Sequence, residues 1–128
     1  MSKHVIHTDQ APAAIGAYSQ AVKVGDTVYI SGQIPLLAQT MELAGDDFKT
    51  QAHQVFKNLN AVSIAAGGTL NDAIKLTVYV TDLGNFALLN EVMSEHMSEP
   101  FPARAAVEVS ALPKDALVEI DAILQLEK

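Results

Sequence analysis

Hydrophobic residues recur at helical spacing in two parts of the chain. The first set lies between Asp46-Asp47 and Gly67-Gly68 and comprises Phe48, Ala52, Val55, Phe56, Leu59, Val62 and Ala66. An acidic N-cap before such a set and glycines after it predict a helix between them. A second helix is predicted after Asp82 and before the helix-breaking Pro100-Phe101-Pro102. Its apolar positions are Phe86, Leu89, Val92, Met93 and Met97.

Six other segments have the residue types and the alternation of strands. They are residues 4–7, 21–24, 27–31, 74–81, 103–109 and 117–126. Gly25-Asp26 predicts a two-residue hairpin that pairs Val24 with Thr27, and residues 36–45 are expected to form a loop. The order of elements predicts a single α+β domain over residues 1–128. Its expected architecture is a mixed six-stranded sheet with both helices on one face.

The alternation along each strand assigns its side chains to the two faces of the sheet. The helices are expected to cover the apolar sets, which in 103–109 are Ala103, Ala105, Val107 and Val109. That choice puts Ala106 and Glu108 on the open face, together with Tyr18, Gln20, Ser31, Thr77, Tyr79, Arg104 and Glu119. The open face is also partly apolar, through Val22, Val24, Leu117 and Ile123. Such a surface favours a homo-oligomer over a bare solvated sheet.

Composition narrows the classes of partner. The 128 residues contain 8 Lys and Arg against 15 Asp and Glu, a net charge of −7. So few cations argue against nucleic acid and anionic membrane surfaces as partners. The chain has no cysteine, which excludes disulfides, thiolate metal sites and a thiolate nucleophile. No apolar run approaches the roughly 18 residues of a membrane span, and no signal-peptide pattern precedes the domain. We therefore expect a cytoplasmic protein.

Arginine occurs once, at position 104, whereas lysine occurs seven times. Arg104 is flanked by small residues, which leave room around its guanidinium. That flat fork of donors matches a carboxylate in two parallel hydrogen bonds, which lysine does not reproduce. The sequence therefore predicts a small anionic ligand at Arg104. An ion pair with Glu108 or Glu119 explains the same pattern equally well.

Glu119 lies between Val118 and Ile120 in an apolar strand. A carboxylate in such a setting has a raised pKa and suits a general base or a water-holding group. The alternative is a partner for Arg104 or a subunit-interface carboxylate. The histidines lack the spacing of a metal site, so no metal is predicted.

Three segments together resemble one protein family. Ala13–Gln20, Ser31-Gly32-Gln33-Ile34-Pro35 and the segment Phe101–Ile123 resemble the signatures of the Rid family, specifically the RidA imine and enamine deaminases. The resemblance covers essentially the whole chain. It implies a chorismate-mutase-like fold and a homotrimer with an inner barrel and clefts between subunits. It also implies cofactor-free hydrolysis of 2-iminobutanoate and 2-iminopropanoate to 2-keto acids and ammonia, a form of metabolite damage control.

The family pattern implies roles for individual residues. Arg104 would hold the substrate carboxylate, and Glu119 would position the attacking water. The cleft would be lined by Tyr18, Ser31, Gly32, Asn90 and Ala106. Many relatives carry Cys or Ser where this chain has Ala106, a difference that bears on substrate preference.

Other functions remain open on the sequence. The main alternative is a non-catalytic trimeric module that binds 2-keto acids or similar carboxylates through Arg104 and regulates a partner. Glu119 favours catalysis, because a sensor needs the anchor but no water-directing acid. An endoribonuclease is disfavoured by the net charge of −7, by the expected absence of a histidine pair and by the absence of an arginine cluster. Nothing in the sequence selects a holdase role.

Overall fold

Every strand in the described part of the chain belongs to one sheet. The computed structural model describes residues 2–127. The elements in chain order are β1 (His4–Ile6), β2 (Ala21–Val24), β3 (Thr27–Gln33), α1 (Phe48–Ala65), β4 (Ala73–Val80), α2 (Phe86–His96), β5 (Ala103–Glu108) and β6 (Val118–Gln125). Single 3₁₀ turns cover Leu70–Asp72, Leu83–Asn85 and Pro113–Asp115. The predicted α+β class and six-stranded mixed sheet are confirmed.

The strand order in the sheet is β1-β2-β3-β6-β4-β5. β4 and β5 are parallel and are connected through α2, whereas all other neighbours are antiparallel. The predicted hairpin is confirmed, because Val24 pairs with Thr27 across Gly25-Asp26. Gly25 has a φ of 60°, a conformation that glycine adopts without steric cost.

Both helices form where the sequence predicts them, with one difference in capping. The Asp47 carboxylate caps α1 by accepting a hydrogen bond from the Thr50 amide at 3.0 Å. Asp82 instead caps the 3₁₀ turn that precedes α2, by accepting from the Gly84 amide at 2.7 Å. Within residues 2–127, no helix is both long and apolar enough to cross a membrane.

The two helices cover one face of the sheet, as predicted. The buried core between them and the sheet includes Val28, Ile30, Val55, Phe56, Leu59, Val62, Leu76, Val78, Leu89, Val92, Val118, Ile120 and Leu124. The other face remains open in the chain. Tyr29 there is 52% exposed, beside the half-buried Val22 and Ile123. This open face is apolar enough to favour contact with another surface.

The predicted face of β5 is wrong. Its parallel register places Arg104 beside Leu76, and Ala106 beside Val78. Because Leu76 and Val78 are fully buried under the helices, Arg104 and Ala106 lie on the helix side of the sheet. Val107, which the alternation assigned to the helix side, is instead 43% exposed on the open face.

A β-bulge interrupts β3 where it pairs with β6. Ile30 faces Ala122 and Gln33 faces Ile120, so three steps along β3 match two steps along β6. The additional residue lies in the Ser31-Gly32 pair. Bulges re-aim side chains and are common beside functional sites.

Candidate functional site

Arg104 lies in a groove between β5 and α2. Its Nη1 donates to Asn90 Oδ1 at 2.7 Å and lies 3.7 Å from the Met93 sulfur. Its guanidinium carbon is 4.9 Å from the centre of the Phe86 ring, a cation–π distance. The groove has a volume of about 430 Å³ and is also lined by Ser94, Phe101 and Pro102. The sequence pattern took Phe86 for a core residue, but it is 38% exposed and packs on Arg104.

These contacts leave one edge of the Arg104 guanidinium open. Nε and Nη2 have no hydrogen-bond partner within residues 2–127. Side by side, they form the fork that binds a carboxylate through two parallel hydrogen bonds. The ion pairs of Arg104 with Glu108 or Glu119 that the sequence left open do not form among residues 2–127. The described pairs are Lys49–Glu91 and His7–Asp9, and Glu108 instead accepts from the Leu83 amide at 2.9 Å.

Ala106 continues the same side of β5 as Arg104. It is partly buried and packs against the core. Together with the contact between Arg104 and Asn90, this brings three of the predicted site residues to the helix side of the sheet.

Glu119 lies on the opposite, open side of the sheet, against Gly32. A Cβ at Gly32 would lie 3.0 Å from Glu119 Cδ and would overlap its Oε2. The absence of a side chain at Gly32 therefore makes room for the Glu119 carboxylate beside the bulge. No hydrogen bond or ion pair to the Glu119 carboxylate forms within residues 2–127. A half-buried carboxylate of this kind has its acceptor capacity free for a water molecule or a ligand.

Burial raises the pKa of Glu119, and the nearby negative charge of Asp121 raises it further. Burial removes water that would stabilise the charged form, and a like charge disfavours that form again. The predicted direction for Glu119 is confirmed. A raised pKa makes an ionised Glu119 a stronger base than a solvent-exposed glutamate.

Tyr18 and Gly32 line a second cavity, with a volume of about 240 Å³. Tyr18 is 54% exposed, and its hydroxyl accepts a hydrogen bond from the Ile15 amide at 3.3 Å. The Ser31 hydroxyl donates to the Ser19 carbonyl at 2.6 Å, so its proton is already engaged. Lys114 is the cationic residue of this cavity.

The structure thus divides the predicted site residues into two groups. The anchor group contains Arg104, Asn90 and Ala106 on the helix side. The water group contains Glu119, Gly32, Tyr18 and Ser31 at the bulge and on the open side. The expectation that Arg104 and Glu119 share a sheet face is wrong, and neither cavity contains both residues.

Sequence reasoning placed Tyr79 on the open face but gave neither Tyr79 nor Asp121 a role. In the structure, the Tyr79 hydroxyl donates to Asp121 Oδ2 at 3.1 Å. Burial raises the pKa of Tyr79, and the negative charge of Asp121 raises it further. The signal available in the sequence is the alternation Val-Glu-Ile-Asp, which puts two carboxylates on one face of β6.

Two histidines meet on the other side of the molecule, between α1 and α2. His53 Nδ1 and His96 Nε2 are 2.8 Å apart, and the His96 ring stacks on Phe56. No three His, Asp or Glu side chains within the described chain come together as a metal site.

Comparison with known proteins identifies relatives of the whole chain. A family model described as Endoribonuclease L-PSP matches residues 8–125. The crystal structure of RidA from an Antarctic Psychrobacter bacterium is 59% identical, with a TM-score of 0.93 over 96% of this chain and 99% of its own. A Dermatophagoides farinae protein named 2-iminobutanoate/2-iminopropanoate deaminase is 43% identical over 98% of each chain. The structure of Escherichia coli TdcF with bound serine is 43% identical, with a TM-score of 0.90 over 97% of this chain and 99% of its own.

These matches cover nearly the whole length of the chain and of its relatives, so they do not rest on a shared fragment. They confirm the resemblance carried by the three sequence segments. The chain belongs to the Endoribonuclease L-PSP family, the group of RidA and its relatives.

Proposed function

We propose that this protein hydrolyses 2-imino acids, such as 2-iminobutanoate and 2-iminopropanoate, to 2-keto acids and ammonia without a cofactor. A relative that bears this activity in its name is 43% identical over nearly the full length. The observation that carries the proposal is the Glu119 carboxylate. It is half-buried and of raised pKa, and it has no hydrogen-bond partner within residues 2–127.

Arg104 is the proposed anchor for the substrate carboxylate. Its Nε and Nη2 edge is open, while Asn90 and the Phe86 ring hold the rest of the guanidinium in place. Two parallel charge-assisted hydrogen bonds would orient the substrate as well as bind it. We place the remaining cleft residues, Tyr18, Ser31, Gly32 and Ala106, around the imine end of the substrate.

We further propose that the protein is a homotrimer and that each site is shared by two subunits. One chain holds Arg104 and Glu119 on opposite sides of its sheet, so a substrate that contacts both requires a second copy. The exposed Tyr29 and Val107 support such packing, because subunit contact would bury them. In this arrangement, the anchor group of one subunit faces the water group of its neighbour.

The proposed reaction needs one proton carrier. The protonated imine is already electrophilic at C2, so the water oxygen bonds to C2 while Glu119 accepts a water proton. The C=N electron pair moves to nitrogen and gives a carbinolamine. Glu119 then returns the proton to the nitrogen. The C–N bond breaks as the hydroxyl oxygen forms the C=O bond, and the released ammonia takes up the hydroxyl proton.

Turnover of an imine generated in situ tests the proposal. An amino acid oxidase would produce 2-iminobutanoate, and keto-acid release would be followed with and without the protein. We expect acceleration by the wild type and a loss of about 100-fold or more in Glu119→Gln. Asp46→Asn, which removes a charge on the exposed segment before α1, is the matched control and is expected to keep full activity.

The alternative function predicts a different outcome. Binding of 2-ketobutanoate by the wild type, without acceleration of hydrolysis across several imines, would contradict the deaminase and support the carboxylate-binding regulatory module. The expected absence of a histidine pair is wrong, because His53 and His96 are 2.8 Å apart. The endoribonuclease function remains disfavoured by the net charge of −7 and the single arginine.

A further inference from the structure

Three ionisable side chains on the open face of the sheet form one connected group. Tyr79 on β4 is the direct cross-strand partner of Glu119 on β6. Asp121 follows Glu119 by two residues, so both carboxylates point to the same face. The Tyr79 hydroxyl reaches diagonally past Glu119 to donate to Asp121 Oδ2 at 3.1 Å. The mechanism above uses Glu119 and leaves the other two without a role.

The surroundings of Glu119 make Asp121 its main charged neighbour. Within β6 the neighbour is Asp121, and from β4 it is Tyr79. The facing part of β3 contributes the non-ionisable Ser31 and Gly32. Tyr18 and Lys114 line the adjacent cavity, which also reaches Gly32. Within one chain, Arg104 lies on the other side of the sheet from the two carboxylates, and in the proposed trimer the neighbour's Arg104 is engaged by the substrate carboxylate.

We propose that Asp121, held by the Tyr79 hydroxyl, is a positioning residue that acts through Glu119: its negative charge strengthens Glu119 as the base toward the attacking water. Glu119 and Asp121 are two positions apart on β6, about 7 Å along the backbone, a spacing at which like charges on a partly buried surface interact. The hydrogen bond from Tyr79 holds one carboxylate in place, so that the repulsion acts on the other. The inference rests on the proposed deaminase function.

The direction of the electrostatic effect on Glu119 agrees with this geometry. Burial is the first cause of its raised pKa, and the charge of Asp121 is the second. Tyr79 itself has a raised pKa, from burial and from Asp121, and therefore keeps its proton as a donor over the working pH range. Removal of the Asp121 charge is expected to lower the pKa of Glu119 and to weaken it as a base.

The decisive variant is Asp121→Asn, which keeps the shape of the side chain and removes its charge. We expect its plateau kcat/KM to fall by about tenfold, less than the loss in Glu119→Gln. The acid limb of its pH profile is expected to move to lower pH, so the ratio of variant to wild-type activity rises as the pH falls. A merely structural defect would lower activity by the same factor at every pH and would overturn the inference.

Two further variants examine the connection to Tyr79. Asp121→Glu retains the charge and is expected to restore most of the wild-type pH profile. Tyr79→Phe removes only the hydroxyl and is expected to change the profile while Asp121 is present, but not in the Asp121→Asn background. Additive effects of the two changes would contradict the proposed route through Asp121.

A titration without substrate separates this inference from the proposed function. Carboxyl carbon NMR reports the protonation of Glu119 directly in the folded protein. A lower midpoint in Asp121→Asn, with no change in Asp46→Asn, would support the coupling even if no imine were hydrolysed, in which case only the deaminase proposal fails. An unchanged Glu119 midpoint in Asp121→Asn would overturn the inference, whatever the turnover shows.

Discussion

Replacement of Gly32 by alanine tests whether the position of Glu119 matters for activity. The new Cβ would lie 3.0 Å from Glu119 Cδ and 3.2 Å from Cγ, and it would overlap Oε2. To restore ordinary contact, the carboxylate must move by about 1 Å, and misplacement of a catalytic group by that distance costs on the order of 100-fold in rate. Gly32 does not have a positive φ, so the backbone accepts alanine without strain.

The expected result is a loss of activity without a comparable loss of stability. We expect kcat for 2-iminobutanoate to fall by about 100-fold, with KM nearly unchanged because Arg104 is untouched. The free energy of unfolding is expected to change by about 1 kcal/mol or less, since the end of the Glu119 side chain is flexible and partly exposed. Steady-state kinetics and chemical denaturation measure the two quantities on the same preparation.

A second background identifies the cause of the loss. In Glu119→Ala the collision is removed, so adding Gly32→Ala is expected to cost no further activity. Full kcat in the Gly32→Ala variant would refute the role of Glu119 that the geometry supports. A further loss in the Glu119→Ala background would show that Gly32 acts by another route, such as direct contact with substrate.

Three further predictions concern the anchor and two groups with shifted pKa values. Arg104→Lys is expected to raise KM by about tenfold to a hundredfold, because lysine lacks the fork of donors; an unchanged KM would contradict the anchor role. Glu119→Gln is expected to raise the melting temperature at pH 7.5. In the wild type, the pKa of Glu119 is higher in the folded state than in the unfolded state, so the folded state loses stability as the pH rises. The gain in melting temperature of Glu119→Gln should therefore vanish near pH 4. Burial, and then the nearby His53, lowers the pKa of His96. Neutral His96 therefore stabilises the folded state above about pH 6.5, and this stabilisation is lost as the pH falls through the lowered pKa. Thermal unfolding of wild type and His96→Gln between pH 7.5 and 5 measures this, and an equal pH dependence in both would contradict it.

The elements with strong local signals could be predicted from the sequence. The α1 helix has an acidic cap, a long apolar repeat and a glycine stop, and it forms between those signals. The Gly25-Asp26 hairpin forms in the predicted register because a two-residue turn leaves one pairing of its flanking residues. These features depend on residues that are close to one another in the sequence, so they can be recognised without knowledge of the fold.

The face of β5 could not be predicted, for a physical reason. One alternating set, Ala103, Ala105 and Val107, is wholly apolar, and the other, Arg104, Ala106 and Glu108, carries two charges, so alternation alone pointed to the wrong face. The choice is made by the parallel register with β4 and by α2, against which Arg104 packs. This choice leaves Val107 exposed on the open face. Such long-range contacts carry no local signal.

The candidate site shows the same division between local and long-range information. The single arginine and the glutamate in an apolar strand identified Arg104 and Glu119 without any knowledge of the fold. The separation of the two residues by the sheet followed only from strand order and register. The link from Tyr79 to Asp121 depends on a diagonal contact between β4 and β6, which alternation alone does not specify.

The most direct test of the account mixes two inactive variants. Arg104→Ala keeps Glu119, and Glu119→Gln keeps Arg104, so neither forms a complete site alone. If each site joins two subunits of a homotrimer, random mixing at equal amounts creates an intact pair at roughly a quarter of the interfaces. We predict that co-refolded trimers recover about that fraction of wild-type deaminase activity. Activity that stays at the level of the separate variants, in trimers shown by mass to be mixed, would contradict the shared site.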